Sequence, residues 1–74
     1  MARFGVRIRG YDRRQVDALA ERVEQSLAGA GEFTARELRK VLDEGAFEVV
    51  LRGYDRNEVH AALQEWLQRL DGQQ

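Results

Sequence analysis

Arg7, Arg9, Arg13 and Arg14 crowd one short stretch of the chain, and Arg52 and Arg56 repeat part of that pattern further on. Guanidinium groups grouped in this way suit phosphates, whether of a nucleic acid or a lipid, and carboxylates of a partner protein. Little else in the chain is suited to chemistry. His60 is the single histidine and has no Ser, Cys or acid in a catalytic arrangement around it, so it reads as a surface residue on an exposed helix face. There is no cysteine, which removes thiolate nucleophiles and disulfides, and one histidine cannot build a metal site. No glycine-rich phosphate cradle is present. The acids are spaced for ion pairs such as Glu32 with Arg36 and Glu65 with Arg69, rather than for convergence on a substrate. A chain of 74 residues is also poorly able to enclose a ligand cavity of ~300 Å³ or more. The expectation is a non-enzyme with no catalytic, cofactor or metal residues.

Formal net charge is −1, but it is unevenly spread. Residues 1–31 hold six arginines against four acids, while residues 32–74 hold six basic residues against nine acids. The overall balance, and the lack of an aromatic stacking platform beside the arginines, argue against nucleic acid as partner. No apolar run approaches the ~18 residues of a membrane span, and the start Met-Ala-Arg-Phe lacks a signal-peptide core, so a cytoplasmic setting is expected.

The arginines sit inside a repeat. Arg9-Gly10-Tyr11-Asp12-Arg13 recurs as Arg52-Gly53-Tyr54-Asp55-Arg56, and residues 4–27 laid on 47–70 match at eleven of twenty-four positions. Two copies of one unit therefore make a single domain over 1–74: repeat one at 3–28, linker and middle helix at 29–45, repeat two at 46–71. In each copy Phe-x-Val-x-aliphatic (Phe4, Val6, Ile8; Phe47, Val49, Leu51) has strand periodicity, which places Ile8 and Leu51 in the core with the Phe and Val side chains. Gly10 and Gly53 are expected to take a positive φ where strand turns to helix.

Three helix starts share one plan: Tyr11-Asp12 with Gln15, Phe33-Thr34 with Glu37, and Tyr54-Asp55 with Glu58. Each pairs a capping oxygen with a Gln or Glu placed to reach back to the cap's own N–H, and each has an aromatic before the cap to staple the entering chain. The tyrosine hydroxyls are expected to reach water. Helices follow at about 12–28, 34–44 and 55–71, with Gly29, Gly45 and Gly72 as left-handed stops. Arg9 and Arg52 lie beside Asp12 and Asp55 and are expected to pair with a cap carboxylate or a helix C-terminus.

Val16, Ala20, Val23 and Leu27 of the first helix and Val59, Leu63, Trp66 and Leu70 of the third advance by 4, 3 and 4, a short coiled-coil seam. Leu19-Ala20 in one copy is Ala62-Leu63 in the other, so large and small residues trade places across a shared interface. Leu38, Val41 and Leu42 form the stripe of the middle helix. The expected fold is α+β: a duplicated strand-turn-helix unit, with a two-stranded antiparallel ribbon packed with three helices in pseudo-two-fold symmetry. A core this thin is compatible with a monomer or a homodimer.

The doubled Arg-Gly-Tyr-Asp-Arg-x-[Gln/Glu]-Val signature, with Phe five positions before its first Arg and an apolar helix behind it, resembles the N-terminal domain of the DivIVA family of bacterial division and polarity scaffolds. In the second copy Phe33-Thr34-Ala35-Arg36-Glu37-Leu38 also resembles the family's leading Leu-Thr-Pro-x-Asp-Ile element, with Ala in place of Pro. Family members pair two such units as a parallel dimer, continue into a coiled coil, and use the turn before the helix on the inner face of curved membrane. The resemblance implies a non-enzymatic scaffold module for cell division or polar growth, located in the cytoplasm at septum or pole. Its implied partner is a protein, such as a coiled-coil division or polarity scaffold, with peripheral membrane contact as the alternative and nucleic acid a weaker one. The family's membrane-contacting aromatic falls on Ile8 and Leu51, and its basic neighbour on Arg9 and Arg52. These four are the interaction candidates, while Gly10, Tyr11, Asp12, Thr34, Glu37, Gly53, Tyr54 and Asp55 carry the structural motif.

The capping assignment is testable in thermal or urea melts. Asp12→Ala should cost about 1 kcal/mol by stranding a first-turn donor, and Asp55→Ala should also lower stability. Unchanged melts for both would remove the caps from this account.

Overall fold

A computed structural model of the chain describes residues 3–29 and 31–72, so Ala30 of the expected linker lies outside the described residues. The order is β1 (Val6–Tyr11), α1 (Arg13–Leu27), α2 (Ala35–Asp43), β2 (Val49–Tyr54) and α3 (Arg56–Asp71). All three helices begin at their capping residues. Asp12 accepts the N–H of Arg14 at 2.9 Å, Thr34 that of Glu37 at 3.2 Å, and Asp55 those of Asn57 and Glu58 at 2.8 and 3.2 Å. Gly29 and Gly45 follow α1 and α2 with φ of 83° and 76°, the left-handed stops expected of them. Gly72 differs: it closes α3 at φ −73°, still right-handed, with its N–H on the carbonyl of Gln68.

The strands pair in antiparallel register, with Val6 opposite Tyr54, Ile8 opposite Arg52, Gly10 opposite Val50 and Tyr11 opposite Val49. One further pairing, Tyr11 with Tyr54, does not fit that run and has the parallel sense. It is explained by the glycines. A Cβ added to Gly10 would land on the carbonyl of Gly53 and the oxygen of Tyr54, and one added to Gly53 would land on the carbonyl of Gly10 and the oxygen of Tyr11. In a straight ribbon Gly10 and Gly53 would stand roughly 10 Å apart. They touch because the ribbon doubles back at Ile8-Arg9 and Leu51-Arg52, so that the two returning segments cross at their glycines.

Both glycines are thus required by close approach, not by a positive φ. The left-handed turn expected of them is taken in the first copy by Arg9, at φ 63°. The bend also overturns the parity expectation. Ile8 and Leu51 are not core residues but are 79% and 77% exposed, and Val6 and Val49 are about half exposed. Strand alternation buries one face only where a layer covers it, and here the ribbon's tip projects past the helices.

The core comes from the helices together with Tyr54 of β2, the largest fully buried side chain. Val16, Leu19 and Val23 of α1 join Val59, Leu63 and Leu70 of α3 in one cluster, closed by Phe33 and by Ala35 and Leu38 of α2, and Ala20 is fully buried as well. Leu27 and Trp66, at the remaining seam positions, are half-buried against it. Ser26 is buried, and its hydroxyl accepts the Phe33 N–H at 2.7 Å, which ties the end of α1 to the entry of α2. Arg22 covers the Phe33 ring at 4.6 Å.

The crossing yields a sharp mutational contrast. Gly10→Ala and Gly53→Ala should each destabilise by ~2 kcal/mol or more, because backbone must move to admit the methyl group. Gly45→Ala meets open space and opposes only its φ of 76°, so about 1 kcal/mol is expected there. Equal melting temperatures for the three variants would contradict the crossed arrangement.

Candidate functional site: the ribbon apex

The bend in the ribbon brings the four interaction candidates to one apex. Ile8 is the register partner of Arg52, and the flanking pairs Arg7 with Gly53 and Gly10 with Val50 bracket Arg9 and Leu51. Two exposed aliphatic side chains therefore stand at the tip beside two exposed arginines.

The apex is braced by bonds exchanged between the copies. The Gln and Glu of the capping boxes do not return to their own caps. Instead the Asp12 N–H donates to the Glu48 carbonyl at 2.9 Å, and the Asp55 N–H to the Gly5 carbonyl at 2.7 Å. With the cap N–H groups satisfied across the ribbon, Gln15 accepts the Glu48 N–H at 2.7 Å and Glu58 the Gly5 N–H at 3.3 Å. The aromatics are exchanged too: Phe4 packs edge-on against Tyr54 and Phe47 against Tyr11, with ring centroids 5.2 and 5.3 Å apart.

The tyrosine hydroxyls have protein partners, contrary to the expectation that they reach water. Buried Tyr54 donates to Asp17 at 2.8 Å and accepts the Arg3 N–H at 3.2 Å. Burial first, then the bond to the Asp17 carboxylate, pushes its phenol above the ordinary range, against the Arg3 N–H, which lowers it. Tyr11 pairs with His60 Nε2 at 2.6 Å, with the two rings nearly parallel. Asp17 and His60 are equivalent positions of the repeat, so one copy clasps its partner's tyrosine with a carboxylate and the other with an imidazole. His60 is exposed, as its helix position implied, but it is not without a role.

Arg9 and Arg52 do not bind the cap carboxylates. Asp55 is held by Arg7 at 3.0 Å, and Asp12 accepts from the Arg14 backbone. Arg7 has Val50 as its counterpart in the other copy, so this ion pair is made once. Elsewhere Arg3 bridges Asp17 and Glu24, Arg39 meets Asp71, and Arg69 meets Glu65 as its spacing suggested, whereas the Glu32 and Arg36 pair does not form among the described residues. Neither Arg9 nor Arg52 makes a hydrogen bond or ion pair among the described residues. Residues 6–14 and 49–57 together carry six arginines and two aspartates, and the rest of the chain six basic residues and eleven acids. These strand-to-helix segments thus carry a local excess of positive charge, offset in part by Glu48 and Glu58 beside them, on a chain that is slightly negative as a whole.

Beside the apex an open groove of about 490 Å³ runs between Arg7, Ile8 and Arg9 on one side and Asp55, Arg56, Asn57 and His60 on the other, with Tyr11 below. Thr34 and Glu37 serve the start of α2 and do not line it. Sequence reasoning missed Arg7 as the partner of Asp55 and the clasps on the two tyrosines. The signal for the clasps was the equivalence of Asp17 and His60, both able to bond a hydroxyl. Among the described residues no three His, Cys, Asp or Glu side chains are grouped to hold a metal, and no helix is long and apolar enough to cross a membrane. Comparison of the chain with family models, curated proteins and solved structures returns no match.

The Arg7 contact makes a pH prediction. Its hydrogen bond to the carboxylate, ahead of the N–H of Glu58 and the smaller help of Asn57, holds Asp55 below the usual carboxylate range. A depressed carboxyl adds stability above its unfolded value and loses that stability as pH falls through the folded one. Arg7→Gln should therefore raise the Asp55 titration midpoint, read by carboxyl NMR, and move the acid loss of stability to higher pH. An unmoved midpoint would rule out Arg7 as its main cause.

Proposed function

We propose that this chain is a non-enzymatic interaction module, a single-chain counterpart of the DivIVA-type N-terminal dimer, that serves a scaffold of bacterial cell division or polar growth and docks by its apex on an anionic membrane surface from the cytoplasmic side. The observation that carries the reading is the exposure of Ile8 and Leu51 beside Arg9 and Arg52, which have no ion pair among the described residues, at the positions matching the family's contact residues. Apolar side chains that a fold leaves out of its core, next to uncompensated positive charge, suit a surface with an apolar interior and anionic headgroups.

The magnitudes set how such a contact works. Burying two aliphatic side chains contributes roughly 3 to 6 kcal/mol, and two arginines near anionic lipid about 2 more. Association costs of similar size leave one module weakly and reversibly bound. Several modules held on one scaffold would bind firmly by avidity. Aliphatic tips also lack the ring that anchors in the headgroup region, which keeps a protein partner with an acidic, apolar surface as the second reading of the same apex.

Sedimentation with phosphatidylglycerol vesicles, the protein presented on a dimeric or higher carrier, tests the first reading. Binding should fall with salt. Ile8→Ala and Leu51→Ala should abolish it while leaving the melting curve in place, and Arg9→Ala with Arg52→Ala should weaken it most at low salt. No binding by the multivalent protein would reject the membrane. Cross-linked recovery of a division or polarity protein, lost on Leu51→Ala, would then establish the protein partner.

A further inference from the structure

We propose that the groove between the first bend and the start of α3 is a phosphate-binding site present in one half of the molecule only. Three guanidinium groups, those of Arg7, Arg9 and Arg56, line one open groove of about 490 Å³. The single acid among them, Asp55, is already engaged by Arg7 and by the N–H groups of Asn57 and Glu58. Arg9 and Arg56 are left without a hydrogen bond or ion pair among the described residues, while their like charges face a shared space. An anion entering the groove would offset their mutual repulsion. Forked donors arriving from both walls match the several oxygens of a phosphate better than the two of a carboxylate. His60 lines the same groove, and its Nε2 is fixed by the Tyr11 hydroxyl.

The other half differs in what compensates its carboxylates. It also carries three arginines, Arg52, Arg13 and Arg14, the last in place of Asn57, but Val50 stands where Arg7 would be, so Asp12 faces them with no ion pair among the described residues, and Asp17 stands in place of His60. Asp17 is held by Tyr54 and Arg3, so the carboxylate that opposes an anion in this half is Asp12. The pseudo-two-fold axis therefore relates a phosphate-accepting face to one that is not. This inference does not depend on membrane docking, since the same chemistry would take a lipid headgroup phosphate or a soluble phosphorylated molecule.

Inorganic phosphate titrated into the protein, against sodium chloride at matched ionic strength, gives the direct test by amide NMR. Phosphate should saturably move the amides of Arg7, Arg9, Asn57 and His60 and leave Val50 and Asp17 in place. Arg56→Gln should weaken the response about tenfold, whereas Arg13→Gln at the equivalent position should not. Equal movement in both halves, the same shifts with chloride, or an unchanged response in Arg56→Gln with the rest of its spectrum intact would overturn the proposal. Displacement of bound phosphate by phosphatidylglycerol vesicles, and not by phosphatidylcholine vesicles, would support the site and assign it to a lipid headgroup. Phosphate binding untouched by either vesicle would support it with a soluble ligand. Because Leu51 lies at the apolar tip and does not line the groove, Leu51→Ala should spare the phosphate response, so failure of the apex and failure of the groove are read separately.

Discussion

Everything at the apex of this protein depends on two backbones touching at Gly10 and Gly53. Contact that close leaves no room for a Cβ on either side, and it forces each ribbon segment to turn back on itself. From the turn follow the exposed tip, the failure of strand alternation to bury Ile8 and Leu51, and the exchange of caps and aromatics between the copies. The helices could pack on their seam without the crossing. They could not then present two aliphatic and two cationic side chains at a single point.

Local features of the fold were legible in the sequence because their causes are local. A capping oxygen acts within three residues, so the starts of α1, α2 and α3 were readable at Asp12, Thr34 and Asp55. A left-handed stop is decided at one residue, and Gly29 and Gly45 behave as expected, though Gly72 does not. The seam was readable as a period, with Val16 and Val23 in one cluster with Val59 and Leu63, and Ala20 buried. The α+β class and the antiparallel pairing followed from duplication.

What stayed hidden depends on segments forty-three positions apart in the chain. The box residues Gln15 and Glu58 look self-contained until the opposite strand supplies a better donor, and then Glu48 and Gly5 take their place. Parity put Ile8 and Leu51 inside because it assumes a sheet lying flat on its helices, and a ribbon that doubles back escapes that assumption. The glycines of the repeated signature were the visible clue, but a glycine needed for contact and a glycine needed for φ look the same in a sequence.

Joining the two units in one polypeptide has a further effect on what the pseudo-axis can do. In a dimer of identical chains every substitution is made twice, and the assembly has no front or back about its axis. Here Asp17 and His60 occupy the two related places and clasp the two tyrosines with opposite chemistry. A particle built in this way can distinguish its left side from its right. Attached to a surface or a filament, it can carry a direction along it, which a true two-fold dimer cannot.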